Sequence, residues 1–356
     1  MRTWTSALLL SGLLVACDSN DAGAGGSSGL DTAATSGPAA GSSTTGSDPG
    51  GSTSSTTGDN ATNPTTGDNA SDDDGPRPPV SFDFGGIPDL GELDDGCNAV
   101  DFLFVIDNSG SMYTAQSNLI ANFPAFIDGI QATLTDVDSY HVGIATSDDY
   151  SGNPLGCRSL GALVTSTTGG DSSNATCGPY ADGFNYITEQ DDLAESFACA
   201  AQVGTSGDAY ELTMNAVETA ISDEFNAPGA CNEGFIRDNA LLVVVVISDE
   251  ADGPGDPDGA PPLYSSTGTP QSWYESVLAA KDGIPENAAA LVLTNYQGGS
   301  CVPSGGYDDG ANMVEFAGLF GENGFVAGIC EPDYGPSFAN ATAVIQQACE
   351  NFIPPG

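Results

Sequence analysis

The chain has 356 residues, 39% of them hydrophobic, with 5 Lys and Arg against 49 Asp and Glu and a formal net charge of −44. That length suits one large domain behind a leader. Thirty-five acidic residues follow residue 96, against three basic ones (Arg158, Arg237, Lys281), so the folded part is itself strongly anionic, which argues against a nucleic-acid partner and fits cation binding or solubility in salt.

The first seventeen residues read MRTWTSALLLSGLLVAC. Arg2 supplies a positive start and Ala7 to Ala16 a short apolar core, too short for a lasting membrane span and right for an export signal. Leu14-Val15-Ala16-Cys17 resembles the bacterial lipoprotein signal, which implies that Cys17 becomes the lipidated first residue of an exported cell-envelope protein. The membrane would be met through that lipid alone, at the outer membrane, the cell surface or a periplasmic face. Nine cysteines are present. Setting Cys17 aside leaves Cys97, Cys157, Cys177, Cys199, Cys231, Cys301, Cys330 and Cys349, enough for four disulfides in an oxidising compartment. No cysteine or histidine spacing matches a zinc site, and His141 is the single histidine.

Residues 18–92 are Ser, Thr, Gly, Asp and Asn with almost no large apolar side chains, and TTGDNA occurs at 56–61 and again at 65–70. Such a stretch buries too little apolar surface to offset its ordering, so a disordered tether is expected. About 75 flexible residues reach roughly 50 Å.

Beyond it, strand-like and helix-like stretches alternate. Phe102–Ile106 is a continuous apolar run. Within 114–132, Leu119, Phe123, Phe126, Ile127 and Ile130 share a helical face, and Pro124 inside that pattern predicts a kink or a split. YHVGIAT (140–146) reads as a second strand, and GALVTST (161–167) as an edge hairpin in a Gly/Ser/Thr-rich region. Helices are expected near 189–202 and 209–224. ALLVVVVIS (240–248) is a fully buried strand by length and β-branching. A helix near 271–282, a strand at 289–296, a helix near 311–320, a strand at 324–330 and a helix near 337–351 complete the chain. In that last helix Phe338, Ala341, Ile345 and Ala348, with Phe352 just beyond, line one side. Dry strands alternating with helices predict an α/β fold of three layers, a mostly parallel central sheet flanked by helices. Ligands in such folds bind beyond the carboxyl ends of the strands.

Two strands end in the same chemistry. Ile106 is followed by Asp107, Asn108, Ser109, Gly110 and Ser111, and Ile247 by Ser248, Asp249, Glu250, Ala251 and Asp252. If the strands are neighbours, two carboxylates share a rim and repel unless a cation lies between them. Oxygen donors with few charges suit Mg²⁺, with Mn²⁺ or Ca²⁺ as the other candidates. Glu250 and Asp252 read as solvated loop acids, or else as outer or calcium ligands.

Asp107-x-Ser109-x-Ser111 after a dry strand, with Asp249 after a second, resembles the metal-ion-dependent adhesion site (MIDAS) of von Willebrand factor type A domains. The resemblance spans 97–352. It implies a Rossmann-like fold, a divalent ion held by Asp107, Ser109, Ser111 and Asp249, and a threonine from a loop before a later helix, for which Thr205 in QVGTSGDAYEL is the candidate. It also implies an adhesion or interaction role, in which a protein or glycan ligand offers a carboxylate to the metal. A bridge from Cys97 to Cys349, closing the ends of the domain, follows from the same resemblance. Proximity in sequence alone pairs Cys157 with Cys177, Cys199 with Cys231, and Cys301 with Cys330.

An enzyme is not expected. Ser109 or Ser111 with His141 as base would make a hydrolase, but no G-x-S-x-G elbow is present and His141 begins the second strand, at the far end of the sheet. A Mg²⁺-dependent phosphoryl-transfer site would want a carboxylate where Ser109 stands. The remaining alternative is a structural lipoprotein whose metal site is vestigial.

Overall fold

The computed structural model describes residues 97–133, 137–254, 265–296 and 310–356. The signal segment with Cys17, the tether at 18–92 and Cys301 lie outside the described residues. No described helix is long and apolar enough to cross a membrane.

The framework is a six-stranded sheet in the order β3-β2-β1-β4-β5-β6. Its strands are β1 (Ala99–Ile106), β2 (Ser139–Thr146), β3 (Ile187–Thr188), β4 (Leu241–Ser248), β5 (Ala288–Thr294) and β6 (Gly324–Gly328). Only β3, at one edge, runs antiparallel. All residues of β1, β4 and β5 are buried, as expected for parallel strands covered on both faces.

Side chains alternate across these strands. Phe102, Phe104 and Ile106 face a core shared with α1 (Tyr113–Thr133), α2 (Leu193–Ala201) and α7 (Gly335–Glu350). Leu103 and Val105 face a second core formed with α3 (Thr213–Ile221), α5 (Pro270–Ala279) and α6 (Ala311–Gly318). A short α4 (Asp223–Asn226) follows α3. The result is the expected three-layer α/β architecture. The predicted α1 face is buried at Leu119, Phe123, Phe126, Ile127 and Ile130, as is the α7 face at Phe338, Ala341, Ile345 and Ala348. Rings of Phe126 and Phe338 lie 4.3 Å apart where these helices meet.

Of the kink or split expected at Pro124, the split does not occur: helix α1 spans Tyr113–Thr133 with Pro124 inside it, and its continuous apolar face holds both halves to one core. At 161–167 the expected hairpin is present in short form, without a regular strand: Ser166 pairs antiparallel with Thr176, Thr167 N donates to the Ala175 carbonyl and Cys177 N to the Thr165 carbonyl, both at 2.8 Å, and Val164 N donates to the Ile144 carbonyl at 2.7 Å; the regular edge strand is β3. The disulfides join Cys97 to Cys349, Cys157 to Cys231 and Cys177 to Cys199, so Cys157–Cys177 and Cys199–Cys231 are not the pairs. Tertiary contacts decide this. Asn232 accepts from Leu163 N and donates to the Gly161 carbonyl, which draws Cys231 to the 156–163 loop. Ser173 donates to the Cys199 carbonyl, which lays 173–177 along the end of α2. Cys330 is also disulfide-bonded.

The amino-terminal end of the sheet holds buried charge of its own, Asp101 and Lys281. Asp101, fully buried, accepts from Arg237 Nε and from Arg237 N, both at 2.8 Å. Burial raises its carboxyl to about 6 even against the neighbouring guanidinium. His141 pairs with Asp101 in register and its Nδ1 lies 3.6 Å from the Asp101 carboxylate. This is not an ion pair: burial, then the charge of Arg237, lower the imidazole to about 4, so the neutral ring donates Nδ1–H to the Phe235 carbonyl at 2.8 Å. His141 is a packed residue at the end of the sheet opposite the serine cluster.

Candidate metal centre at the carboxyl rim

Register places the two acid-bearing loops side by side. Ile106 lies opposite Ile247 and Thr146, so β1, β2 and β4 leave the sheet at one level. Asp107 N donates to the Ile247 carbonyl at 2.9 Å, one bond further along the ladder. Past that point Asp107 turns inward. Its Oδ1 accepts from Ser109 N at 2.8 Å and from Ser147 Oγ at 3.4 Å, and its Oδ2 accepts from Ser248 Oγ at 2.8 Å. The first of these contacts is an Asx turn, the reason an aspartate followed by small residues can reverse a strand so tightly.

The turn brings the hydroxyls to the opposing loop. Ser109 Oγ and Ser111 Oγ are 2.8 Å apart, and Ser111 Oγ donates to Asp249 Oδ1 at 3.0 Å or to Glu250 Oε1 at 3.2 Å. Asp107, Ser109, Ser111 and Asp249 therefore form one connected cluster, with Glu250 beside it. Asp252 does not join. It is buried, and its carboxylate accepts from Met214 N, Ser265 Oγ and Ser266 N, fastening the start of α3 to the loop after β4.

Neighbouring segments clamp the cluster. Gln116 of α1 donates to the carbonyls of both Asp107 and Gly204 and accepts from Gly204 N. Gly207 N donates to the Asn108 carbonyl at 2.8 Å. A Cβ at Gly207 would stand 2.6 Å from that oxygen, so only glycine allows the approach. Asp148 receives Asn108 Nδ2 and Asp208 N, joining β2's exit to both loops.

Thr205 lies in this clamp but outside the cluster. Its hydroxyl donates to Asp171 Oδ2 at 2.7 Å, so joining the cluster would require giving up that bond. The chain instead brings Glu211 and Thr213 inward. Glu211 is 6% exposed and Thr213 fully buried, and Glu211 Oε1 and Thr213 Oγ1 have no hydrogen-bond partner among the described residues. Sequence reading missed Glu211 because 209–224 scored as one helix, in which an acid is an ordinary surface residue. The helix begins only at Thr213, which leaves Glu211 in the loop. The available signal was an acid immediately before the apolar face Met214, Val217, Ile221.

Electrostatics follow from this burial. Desolvation raises the Asp107 carboxyl to about 7, with the charge of Asp249 adding to it and the Ser109 and Ser248 donors opposing it. Glu211 is pushed well up by burial, then by its contact with Glu250 and the charge of Asp107. A dication would reverse every one of these effects. Among the described residues no three acidic, histidine or cysteine side chains are grouped to hold a metal; the cluster is two carboxylates and two hydroxyls. All its donors are hard oxygens, and Glu211, with one oxygen orphaned, has the acids Glu250 and Asp107 as its charged neighbours. The residues present thus fit a hard divalent ion such as Mg²⁺, Mn²⁺ or Ca²⁺.

These features define a three-layer α/β domain with an acidic, hydroxyl-rich cluster at the carboxyl rim of its sheet. No protein-family model matches the chain, and no curated protein matches it. Among solved structures it is similar to a von Willebrand factor type A protein from Catenulispora acidiphila, at 16% identity and a TM-score of 0.35, over 70% of this chain and 43% of that one. It is also similar to proximal thread matrix protein 1 from the mussel byssus, at 11% identity and a TM-score of 0.36, over 71% of this chain and 49% of that one. The chain spans less than half the length of each of these structures.

Proposed function

We propose that this is an exported, lipid-anchored cell-envelope protein whose type A-like domain binds a protein or glycan ligand through a divalent cation. Asp107, Ser109, Ser111 and Asp249 would hold the ion, and a carboxylate of the ligand would complete its shell. Cys17 would carry the lipid and residues 18–92 would set the domain off the membrane.

One observation carries the reading: Ser111 Oγ bonds Asp249 of the β4 loop while touching Ser109 of the β1 loop. Side chains from two separate loops thereby meet where the parallel strands end. The bound ion would supply positive charge to which a ligand's anionic oxygen can add. The protein's part is positional. Ser109 N–H and Ser248 Oγ orient the Asp107 carboxylate, and the Gln116 clamp keeps the loops in register. No chemical step is assigned to these residues.

The test is capture from a cell-envelope extract by the immobilised chain, with Mg²⁺ and with chelator, beside an Asp107→Ala variant. The expected result is a partner held in Mg²⁺, released by chelator and absent from the variant. Capture indifferent to both would favour a structural lipoprotein and remove the adhesion role.

A further inference from the structure

We propose that Glu211 is itself a ligand of the cation at the Asp107–Asp249 cluster, and that this added carboxylate makes Ca²⁺ the preferred ion. This rests on the cation-binding reading above and adds to it a ligand and an ion.

Glu211 is held in place from both sides. Leu212 N donates to the Ser147 carbonyl at 2.8 Å, and Met214 N donates to Asp252 Oδ2 at 2.8 Å. Ser147 in turn touches Asp107 through its hydroxyl. The backbone entering α3 is thus pinned against the rim, and the Glu211 side chain contacts Glu250, which also touches Ser111.

A buried carboxylate needs a cationic partner or a hydrogen-bond donor. The three basic side chains among the described residues are engaged elsewhere. Arg237 is on Asp101, Lys281 Nζ donates to the carbonyls of Arg237 and Asp238, and Arg158 donates to the Asn153 carbonyl. The charged neighbours of Glu211 are Glu250 and Asp107, both acids, and its one donor is its own backbone N–H. Its Oε1 and Thr213 Oγ1, two residues on, are buried without partners. Two orphaned hard oxygens beside an acidic rim are what a cation would satisfy.

The identity of the ion follows from the donor count. With Glu211 recruited to the two carboxylates and two hydroxyls already clustered, the ion would have the Asp107, Asp249 and Glu211 carboxylates and the Ser109 and Ser111 hydroxyls, a set of three acids that the described side chains do not yet group. Ca²⁺ takes roughly six to eight oxygens in flexible geometry, whereas Mg²⁺ keeps several waters and takes about one or two carboxylates. A larger coordination number also leaves room for a ligand oxygen beside Glu211.

The experiment is titration calorimetry of the chain with Ca²⁺ and with Mg²⁺, on wild type, Glu211→Gln and Asp107→Asn, folding being checked by circular dichroism. Wild type is expected to bind Ca²⁺ about tenfold more tightly than Mg²⁺, and Glu211→Gln to lose about tenfold or more in Ca²⁺ affinity. The wild-type Ca²⁺ to Mg²⁺ ratio needs no variant and stands if Glu211→Gln does not fold. Tighter binding of Mg²⁺ by wild type overturns the calcium assignment. If Glu211 is instead a neutral acid sharing a proton with Glu250, Glu211→Gln keeps its Ca²⁺ affinity within about twofold while Asp107→Asn loses it. That outcome overturns the ligand role of Glu211 and leaves the Asp107 cluster standing. No heat from either ion on wild type would overturn both.

Discussion

Replacing Arg237 with methionine keeps the aliphatic stem and removes the one guanidinium that touches Asp101. The Asp101 carboxyl, fully buried, would lose the donors Nε at 2.8 Å and Nη2 at 2.7 Å and keep the backbone donor Arg237 N. In the intact protein its carboxyl lies at about 6, against 3.8 for a free aspartate, raised by burial and lowered in part by Arg237. Without that opposition it moves higher still. A carboxyl whose folded value lies above its unfolded value keeps a proton that the unfolded chain releases, so stability falls as pH rises through that window. Wild type completes this loss near pH 6, and the variant goes on losing stability above it, by about 1.4 kcal/mol for each pH unit by which its carboxyl is raised further. A pH-independent loss of about 2 kcal/mol adds to it for the contacts of Arg237 to Ser139 and the Val100 carbonyl. Urea unfolding at pH 6, 7 and 8, followed by the fluorescence of the fully buried Trp273, measures the difference. The double variant Asp101→Asn/Arg237→Met should lose the pH-dependent part. A destabilisation constant from pH 6 to 8 would refute the reasoning.

Two further outcomes are expected. Phe104→Ala removes a ring that meets Phe197 at 4.7 Å and Phe126 at 6.0 Å in the core under α1 and α2; it should cost about 3–5 kcal/mol, read as a lower urea midpoint. Opening Cys97–Cys349 by Cys97→Ser/Cys349→Ser frees ends separated by 252 residues and should cost about 5.5 kcal/mol in chain-entropy terms, read by the same unfolding curves.

The sheet was legible because burial writes itself into composition. VVVV in β4 and FLFVI in β1 have no polar face to offer, so they lie between helices and their ends mark the rim. Ser109, Ser111 and Asp249 were legible for the same reason, each sitting a few residues past such a run. The other features depend on contacts between distant segments. Glu211 is no different from a surface acid until Leu212 is fixed to Ser147 and Met214 to Asp252. Thr205 sat in a suitable Gly-flanked loop, yet Asp171, 34 residues earlier, takes its hydroxyl. The pairing of Cys157 with Cys231 is set by Asn232, whose amide bridges to Gly161 and Leu163. Sequence proximity carries no information of that kind.

The central claim is that a divalent ion sits between the β1 and β4 loops. Crystals grown with Mn²⁺ and measured at the manganese absorption edge locate that ion directly. An anomalous peak in contact with Ser109 and Ser111 and flanked by Asp107 and Asp249 is the predicted result. Fully ordered loops with no peak there, at millimolar Mn²⁺ and neutral pH, would contradict it.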